Sequence, residues 1–282
     1  MSYRFDNTPV LESLYHKGQD NIWDGKNVLQ SLISEHGLAS FSEKQLNSIN
    51  NIFSVILWGE LAAWNISSSL ALGLTSIEAK MAATSQAHDE ARHFYVMKDY
   101  LNTIGCVPKE LPANTLKTLN FVSKANSLPK KLLGMQLMVE PIAITIFKLV
   151  IKSNVDPVLS GLLKLYEKDE ARHIALGVKH LPILIDKMTY NEIISLFMWQ
   201  LKLMLLEVDG LKDLQNDFEA LGFSVDEVYY LAENKQMEAA KKMGDELGMS
   251  HKAWDAMRLI AHAKKEITFN NKYKSLRMFL PI

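Results

Sequence analysis

The sequence predicts an all-α protein, a bundle of long helices with additional helices at both ends of the chain. Three observations carry that prediction. Apolar residues recur at spacings of three and four over long windows, pairs with capping-box spacing mark several helix starts, and no alternating run suggests a strand. At 282 residues a chain buries roughly three quarters of its unfolded surface. A hydrophobic share of 48%, with only 13 Gly and 8 Pro, suits one compact unit.

The elements follow in order. Ser42 with Gln45 opens a helix to about Leu72, and Thr75 with Glu78 opens another to about Gly105. Pro108 to Pro112 is a loop, and a shorter helix covers Thr115 to Asn126. Pro129 is placed as the first residue of a long helix to about Ser153, kinked at Pro141. Asp156 and Pro157 cap and start a helix that runs to about His180, where Pro182 disturbs it. Thr189 with Glu192 and Ser224 with Glu227 start two more, and a final helix covers Ser250 to about Ile267. No linker-like stretch divides the chain, so residues 1–282 are read as one domain, with a core bundle at about 42–187 and peripheral helices at about 189–270.

Charge and cysteine usage narrow the function. With 31 Lys plus Arg against 32 Asp plus Glu, the net charge is −1, too balanced for a protein that holds nucleic acid by bulk electrostatics. Cys106 is the only cysteine, so a metal must be held by oxygen and nitrogen. The polar start MSYRFDNTPVLESLYHKGQD lacks the apolar run of a signal peptide, and a cytoplasmic location is expected. Gly134–Ile151 is apolar enough to resemble a short membrane span. It carries Gln136, Glu140 and Pro141, so a buried core helix is expected instead, in which Glu140 needs a partner.

An internal repeat carries the chemistry. The pentapeptide DEARH occurs as Asp89, Glu90, Ala91, Arg92, His93 and again, 80 residues on, as Asp169, Glu170, Ala171, Arg172, His173. Thirty residues before each motif glutamate stands another acid in an apolar helical stretch, Glu60 in LWGELAAW and Glu140 in LMVEPIAI. An unpartnered carboxylate there is costly to bury. On a helix, Glu90 with His93 and Glu170 with His173 share a face at i, i+3, so each pair aims a carboxylate and an imidazole at one point. Four glutamates and two histidines from four facing helices match the ligand set of known two-metal carboxylate bundles. Asp89 and Asp169 are placed to receive the second ring proton of a histidine across the bundle, with Arg92 and Arg172 pairing to those aspartates. Steps of three, four and seven from the ligands nominate a pocket wall containing Ile56, Ala63, Trp64 and Ser67 near Glu60, and Gln136, Ala143, Ile144 and Phe147 near Glu140. Gln86 and Tyr166, each one turn before a motif glutamate, are nominated as polar contacts of substrate or ligands. His88 lies about 200° from Glu90 and is expected to face away.

This pattern resembles the non-haem di-iron oxidases and oxygenases of the ferritin-like superfamily, over about Ser42 to Lys187. Its spacing is most similar to that of p-aminobenzoate N-oxygenases and ribonucleotide reductase small subunits. The former carry a further metal-bound histidine where this chain has Tyr166. The latter commonly carry a tyrosine where this chain has Met97. Rubrerythrin-like relatives need a cysteine-bound iron that a single cysteine does not supply.

The resemblance implies a ferritin-like four-helix bundle and two iron ions, with an Mn/Fe pair as the alternative that these ligand types also admit. It implies dioxygen as co-substrate and a small organic substrate undergoing hydroxylation, N-oxygenation or desaturation. Storage of an oxidising equivalent for a partner protein is the alternative. No dinucleotide fingerprint is present, so electrons are expected from an external donor of ferredoxin or reductase type. Neither nucleic acid nor a membrane is expected as partner. A homodimer stays open, with Tyr273 and Phe279 available to cover the bundle or a second copy.

Overall fold

The computed structural model describes residues 5, 8–247 and 252–270. Tyr273, Phe279 and the expected helix start at Ser250 lie outside these. The described residues are helical with no β-strand. Two N-terminal helices, α1 (Pro9–Asp20) and α2 (Gly25–His36), precede the bundle helices α3 (Glu43–Gly73) and α4 (Ile77–Thr103). After α5 (Ala113–Ser123), α6 (Leu128–Leu132), a π-helical segment (Leu133–Val139) and α7 (Glu140–Ser153) form one continuous rod, and α8 (Pro157–Ile185) returns beside it. The chain continues through α9 (Tyr190–Asp213), α10 (Gln215–Ala220), α11 (Val225–Leu247) and α12 (Lys252–Phe269).

Local chemistry explains the starts. Ser42 and Gln45 form a reciprocal capping box on α3, as do Thr189 and Glu192 on α9. Ser224 and Glu227 exchange the same bonds at the start of α11. Asp156 accepts from the N–H groups of Val158 and Leu159 to cap α8. The expected cap of α4 is corrected by one residue: Ser76, not Thr75, takes the extended conformation and accepts from Ala79 N–H. Pro182 does not end α8, which continues to Ile185.

Pro141 also acts differently from the expected kink. The preceding seven residues widen into a π-helix, and the Glu140 N–H donates to Met135 O, five residues back. Proline has no N–H to offer the next carbonyl, and the widened turn absorbs that mismatch just where Glu140 must point inward. Gly177 of α8 lets this rod approach closely, since a Cβ there would stand 2.9 Å from the Gln136 Cβ.

Two apolar clusters bracket the middle of the bundle. Along α3 one cluster holds Ile49 to Leu57 and the other Ala62 to Leu70, with Glu60 between. Along α4 the order reverses, Ala79 to Ala83 first and Val96 to Leu101 second, with the DEARH motif between. The rod through α7 runs like α4, and α8 runs like α3. The α4–α7 connection must therefore traverse the bundle's length, the single long crossover of ferritin-like bundles. Two segments, Glu43–Gly73 and Leu128–Ser153, are long and apolar enough to cross a membrane. The second contains the stretch expected to be a core helix, and 72% of its apolar window is buried in the bundle.

Candidate metal centre

All six expected ligands meet at mid-bundle, buried, with the two apolar clusters above and below. Ligand atoms of Glu60, Glu90, His93 and Glu170 lie within 4.8 Å of one another, and so do those of Glu90, Glu140, Glu170 and His173. Glu90 and Glu170 belong to both groups. The geometry thus separates two shared glutamates, from the repeated motifs, from two terminal Glu/His pairs, Glu60 with His93 and Glu140 with His173.

Each imidazole presents Nδ1 to carboxylates. His93 Nδ1 stands 3.4 Å from Glu60, 3.3 Å from Glu170 and 3.6 Å from Glu90. His173 Nδ1 stands 3.1 Å from Glu90 and 3.2 Å from Glu170. Each Nε2 turns to the aspartate of the other motif: His93 to Asp169 at 3.1 Å, His173 to Asp89 at 3.4 Å. An ionised carboxylate only accepts, so Nε2 carries the proton and Nδ1 keeps a lone pair for a metal. Arg92 bonds Asp89 at 2.6 Å and Asp169 at 2.8 Å, and Arg172 bonds Asp89 at 2.9 Å and Asp169 at 2.7 Å. Two aspartates and two arginines thus close a charge-balanced square behind the histidines.

Trp23, in the α1–α2 loop, donates its indole N–H to Asp169 at 2.9 Å. The Arg92 guanidinium lies 4.6 Å from its ring centroid. No periodicity marked this loop residue. Tyr166 stacks on His93 with centroids 4.0 Å apart and donates its O–H to the His93 carbonyl at 2.6 Å.

The electrostatics follow from burial and these contacts. Glu60 and Glu140 are pushed well above the usual carboxylate range, first by burial and then by neighbouring glutamates. Burial also raises Glu90, but the charge and hydrogen bonds of His173 and the bond to His93 outweigh it and lower the group overall. Burial alone would lower both histidines. For His93 the bonds to Asp169, Glu170 and Glu60, and for His173 the charges of Glu90 and Glu170, lift the imidazoles well above their ordinary range. Asp169 is held low despite burial, chiefly by His93 and Arg172. The cluster therefore draws positive charge, a demand that divalent ions satisfy in competition with protons.

Whether two ions fit is answered by the donor atoms. His93 Nδ1, Glu90 Oε2 and Glu140 Oε2 are buried without a hydrogen-bond partner, although other ligand atoms surround them. Donor atoms that converge in this way are what a metal uses once it has displaced the protons they hold. Four carboxylates with two imidazoles suit iron or manganese.

On the side away from α1 and α2, a cavity of about 110 Å³ opens onto Glu60, Glu90, Glu140 and Glu170. Its walls come from α3 (Val55, Ile56, Gly59, Ala63), α5 (Thr115, Thr118, Leu119), the rod (Met135, Val139, Ile142, Ala143, Ile146) and α9 (Glu207, Gly210, Leu211), with Leu214. Ile56, Ala63 and Ala143 are placed as expected. Trp64 is 38% exposed, and neither it nor Ile144 lines the cavity. Both are four residues after a ligand glutamate, about 40° round the helix, whereas the cavity lies on the other side, toward residues one before and three after. Ser67 and Phe147 are buried but do not line the cavity.

Gln86, Gln136 and Tyr166 also do not line this cavity. The Gln86 amide donates to Glu90 at 3.1 Å and Glu140 at 2.7 Å, and its oxygen accepts from Gln136 at 3.1 Å. Two carboxylates fix the direction of the Gln86 amide, and that in turn fixes Gln136. Gln86 and Tyr166 thus touch ligand residues, and Gln136 holds Gln86. His88, with a 60% exposed side chain, faces away. Glu207 was missed, although an acid in the apolar run LKLMLLEVDGL is the same signal that marked Glu60 and Glu140.

Fold and site together define a helical bundle with a buried two-site carboxylate–histidine cluster. The fold is that of the ferritin-like proteins, and three solved structures share it. Dimanganese(II)-NrdF from Streptococcus sanguinis aligns with a TM-score of 0.68 at 13% identity, over 89% of this chain and 92% of that one. A protein with aldehyde deformylating oxidase activity from Synechococcus aligns at 0.64 and 14% identity, over 76% and 98%. An R2-like ligand-binding oxidase from Sulfolobus acidocaldarius aligns at 0.60 and 17% identity, over 88% and 94%. No protein-family model and no curated protein sequence matches the chain.

Proposed function

We propose that the protein is a dioxygen-dependent oxidoreductase that uses two iron ions, or an Mn/Fe pair, to oxidise a small organic molecule. The observation carrying this reading is the apolar cavity opening directly onto four buried glutamates that also gather two histidines. Oxidase activity and manganese appear in the names of the aligned structures, which supports the reaction class.

Glu60 with His93 would hold one ion and Glu140 with His173 the other, with Glu90 and Glu170 shared. Such a pair, reduced by an external donor protein or reductant, supplies dioxygen activation. The chain's own residues do the rest. Asp169 and Asp89 hold the imidazole protons at Nε2 and keep each Nδ1 turned inward. The arginines hold the aspartates ionised, and Gln86 orients Glu90 and Glu140 from the side opposite the cavity. Ile56, Ala63, Leu119 and Ile146 exclude water from the face where a substrate rests.

The test is anaerobic loading with ferrous iron, then exposure to dioxygen, with optical spectra and mass analysis of candidate substrates. The expected outcome is substrate-dependent dioxygen consumption with an oxidised product, lost in Glu90→Ala and Glu170→Ala. A stable radical without product would refute it. That result belongs to the second reading, storage of an oxidising equivalent for a partner, for which Tyr166 against His93 is the side chain at hand. Its hydroxyl faces a carbonyl and not a base, which gives its proton no acceptor on oxidation and weighs against that role. Under the first reading Tyr166→Phe keeps product formation.

A further inference from the structure

Glu207 stands in the cavity wall contributed by α9, 7% exposed. One carboxyl oxygen, Oε2, accepts from the Gln236 amide at 3.1 Å, and the same amide donates to the Met138 carbonyl at 2.9 Å. The carboxyl is thereby oriented by α11. Its other oxygen, Oε1, is buried with no hydrogen-bond partner. Burial pushes this carboxyl up to about 8, and the Gln236 bond offsets that only in part. No cation of the described residues offsets it. Glu233 on α11, which lines a neighbouring pocket together with Glu207, has Arg258 at 3.1 Å.

The rest of that wall is built to accept as well. The Thr118 hydroxyl lies 3.1 Å from the Asn114 and Leu206 carbonyls, and the Thr115 hydroxyl bonds Asp213 at 3.3 Å. Both hydroxyl protons are thus spent on other groups, and what the threonines retain are lone pairs. A group that satisfies Glu207 Oε1 and such lone pairs together must bring several donors and a positive charge, which describes an ammonium. The remaining wall is apolar. A cavity near 150 Å³ takes benzene, so about 110 Å³ suits a molecule of roughly five heavy atoms.

We propose that Glu207 anchors the ammonium head of a small aliphatic amine that lies in the cavity with its apolar end against the carboxylate cluster. The orientation matters: the nitrogen is held away from the metal ligands and carbon is presented to them. Calling this amine a substrate rests on the function proposed above.

The test uses the full chain loaded with Mn(II), so that the cluster carboxylates are engaged by metal. Dissociation constants of butylamine, 1-butanol and butyrate are measured by NMR titration at pH 7.5. The amine is expected to bind about 10- to 100-fold more tightly than the alcohol, the span of one charged hydrogen bond. Glu207→Gln keeps the bond to Gln236 and is expected to remove that preference while bound manganese is unchanged. Equal binding of amine and alcohol, tighter binding of butyrate, or a preference that survives Glu207→Gln overturns the proposal. Binding needs no dioxygen chemistry, which separates the two readings. Glu207-dependent amine binding without any oxidation refutes the oxidase and not the anchor. Oxidation of other molecules without amine preference refutes the anchor alone.

Discussion

Replacing Glu207 by Gln should make the protein more stable, and increasingly so as pH rises. Burial lifts this carboxyl from its ordinary 4.5 to about 8. Between those values the folded protein keeps a proton that the unfolded chain has lost, so stability falls as pH rises through the window. At ~1.4 kcal/mol for each pH unit, the full span from 4.5 to about 8 is worth about 5 kcal/mol. The penalty is fully present above pH 8 and gone below 4.5. Gln has the same shape, does not titrate and keeps the Gln236 bond. The groups facing Glu207 are Gln236 on α11, Glu233 with its Arg258, and the four glutamates across the cavity. Their own titration is common to both proteins and cancels in the difference, and burial and the Gln236 bond are what set the Glu207 carboxyl. Thermal unfolding followed by circular dichroism at pH 5 and pH 9 reads the effect. At roughly 2 °C per kcal/mol for a chain of this size, the variant's advantage should grow by on the order of 10 °C. A difference that stays flat with pH, or a wild type that gains on the variant as pH rises, refutes the burial argument.

Other outcomes follow from the same geometry. Glu90→Ala or Glu170→Ala should lose both metal ions, because each glutamate belongs to both groups, whereas Glu60→Ala or Glu140→Ala should lose one. Metal counted by mass spectrometry on purified variants decides this, and two ions retained by Glu90→Ala would contradict the shared role. Mn(II) affinity should weaken as pH falls from 8 to 6, because Glu60, Glu140, His93 and His173 all hold protons more tightly than usual and must release them to the metal; equal affinities at the two pH values would contradict it. A Cβ at Gly59 meets nothing within 4 Å, so Gly59→Ala should raise stability by about 1 kcal/mol and reduce ligand size, read as a higher melting temperature with weaker butylamine binding. Asp169→Asn leaves Arg92 and Arg172 short of a buried counter-charge and should cost about 3–5 kcal/mol; an unchanged denaturant midpoint would dismiss the charge square as a source of stability.

Much of the centre was legible because it is duplicated. A single Glu-x-x-His is common on solvated helices, but Glu60, Glu90, Glu140 and Glu170 at one repeated offset are not. The aspartate behind each histidine was legible too, because a ligand histidine needs an acceptor for its second ring proton, whereas i, i+3 spacing gave only the Asp–Arg pairs within each motif and not the crossed ones. The distinction between shared and terminal glutamates was not, since it depends on how four helices rotate against each other. The π-helical segment was also hidden. Pro141 announces a disturbance, but whether a helix bends or widens is settled by what packs against it, here Gly177 of α8. Trp64 and Ile144 failed together for one reason: periodicity gives the face of a ligand and not which flank of that face is hollow. Trp23 reaches Asp169 across 146 residues of sequence, a contact no local pattern encodes. Glu207 carried the right signal once, without a second copy to lift it above chance.

The repeat also separates what is general in this protein from what is particular. Shifting by 80 residues carries Glu60 onto Glu140 and DEARH onto DEARH, and it carries cavity residues Val55, Gly59 and Ala63 onto Met135, Val139 and Ala143, which line the same cavity. The metal centre and the two walls beside it are therefore built twice from one plan. The far wall, from α5 and α9, lies outside that plan, and so does the Trp23 loop behind the histidines. A ligand distinguishes its two ends only where the surroundings are not duplicated, and the polar groups that break the symmetry are Glu207, Thr115 and Thr118. Selectivity should then reside in α5 and α9 and metal chemistry in α3, α4, α7 and α8. Changes at Glu207 or Thr118 should alter which molecule binds at constant metal content, while changes at the repeated acids should alter metal content first. A Glu207 variant that sheds metal as readily as a Glu60 variant would show that the two functions are not divided this way.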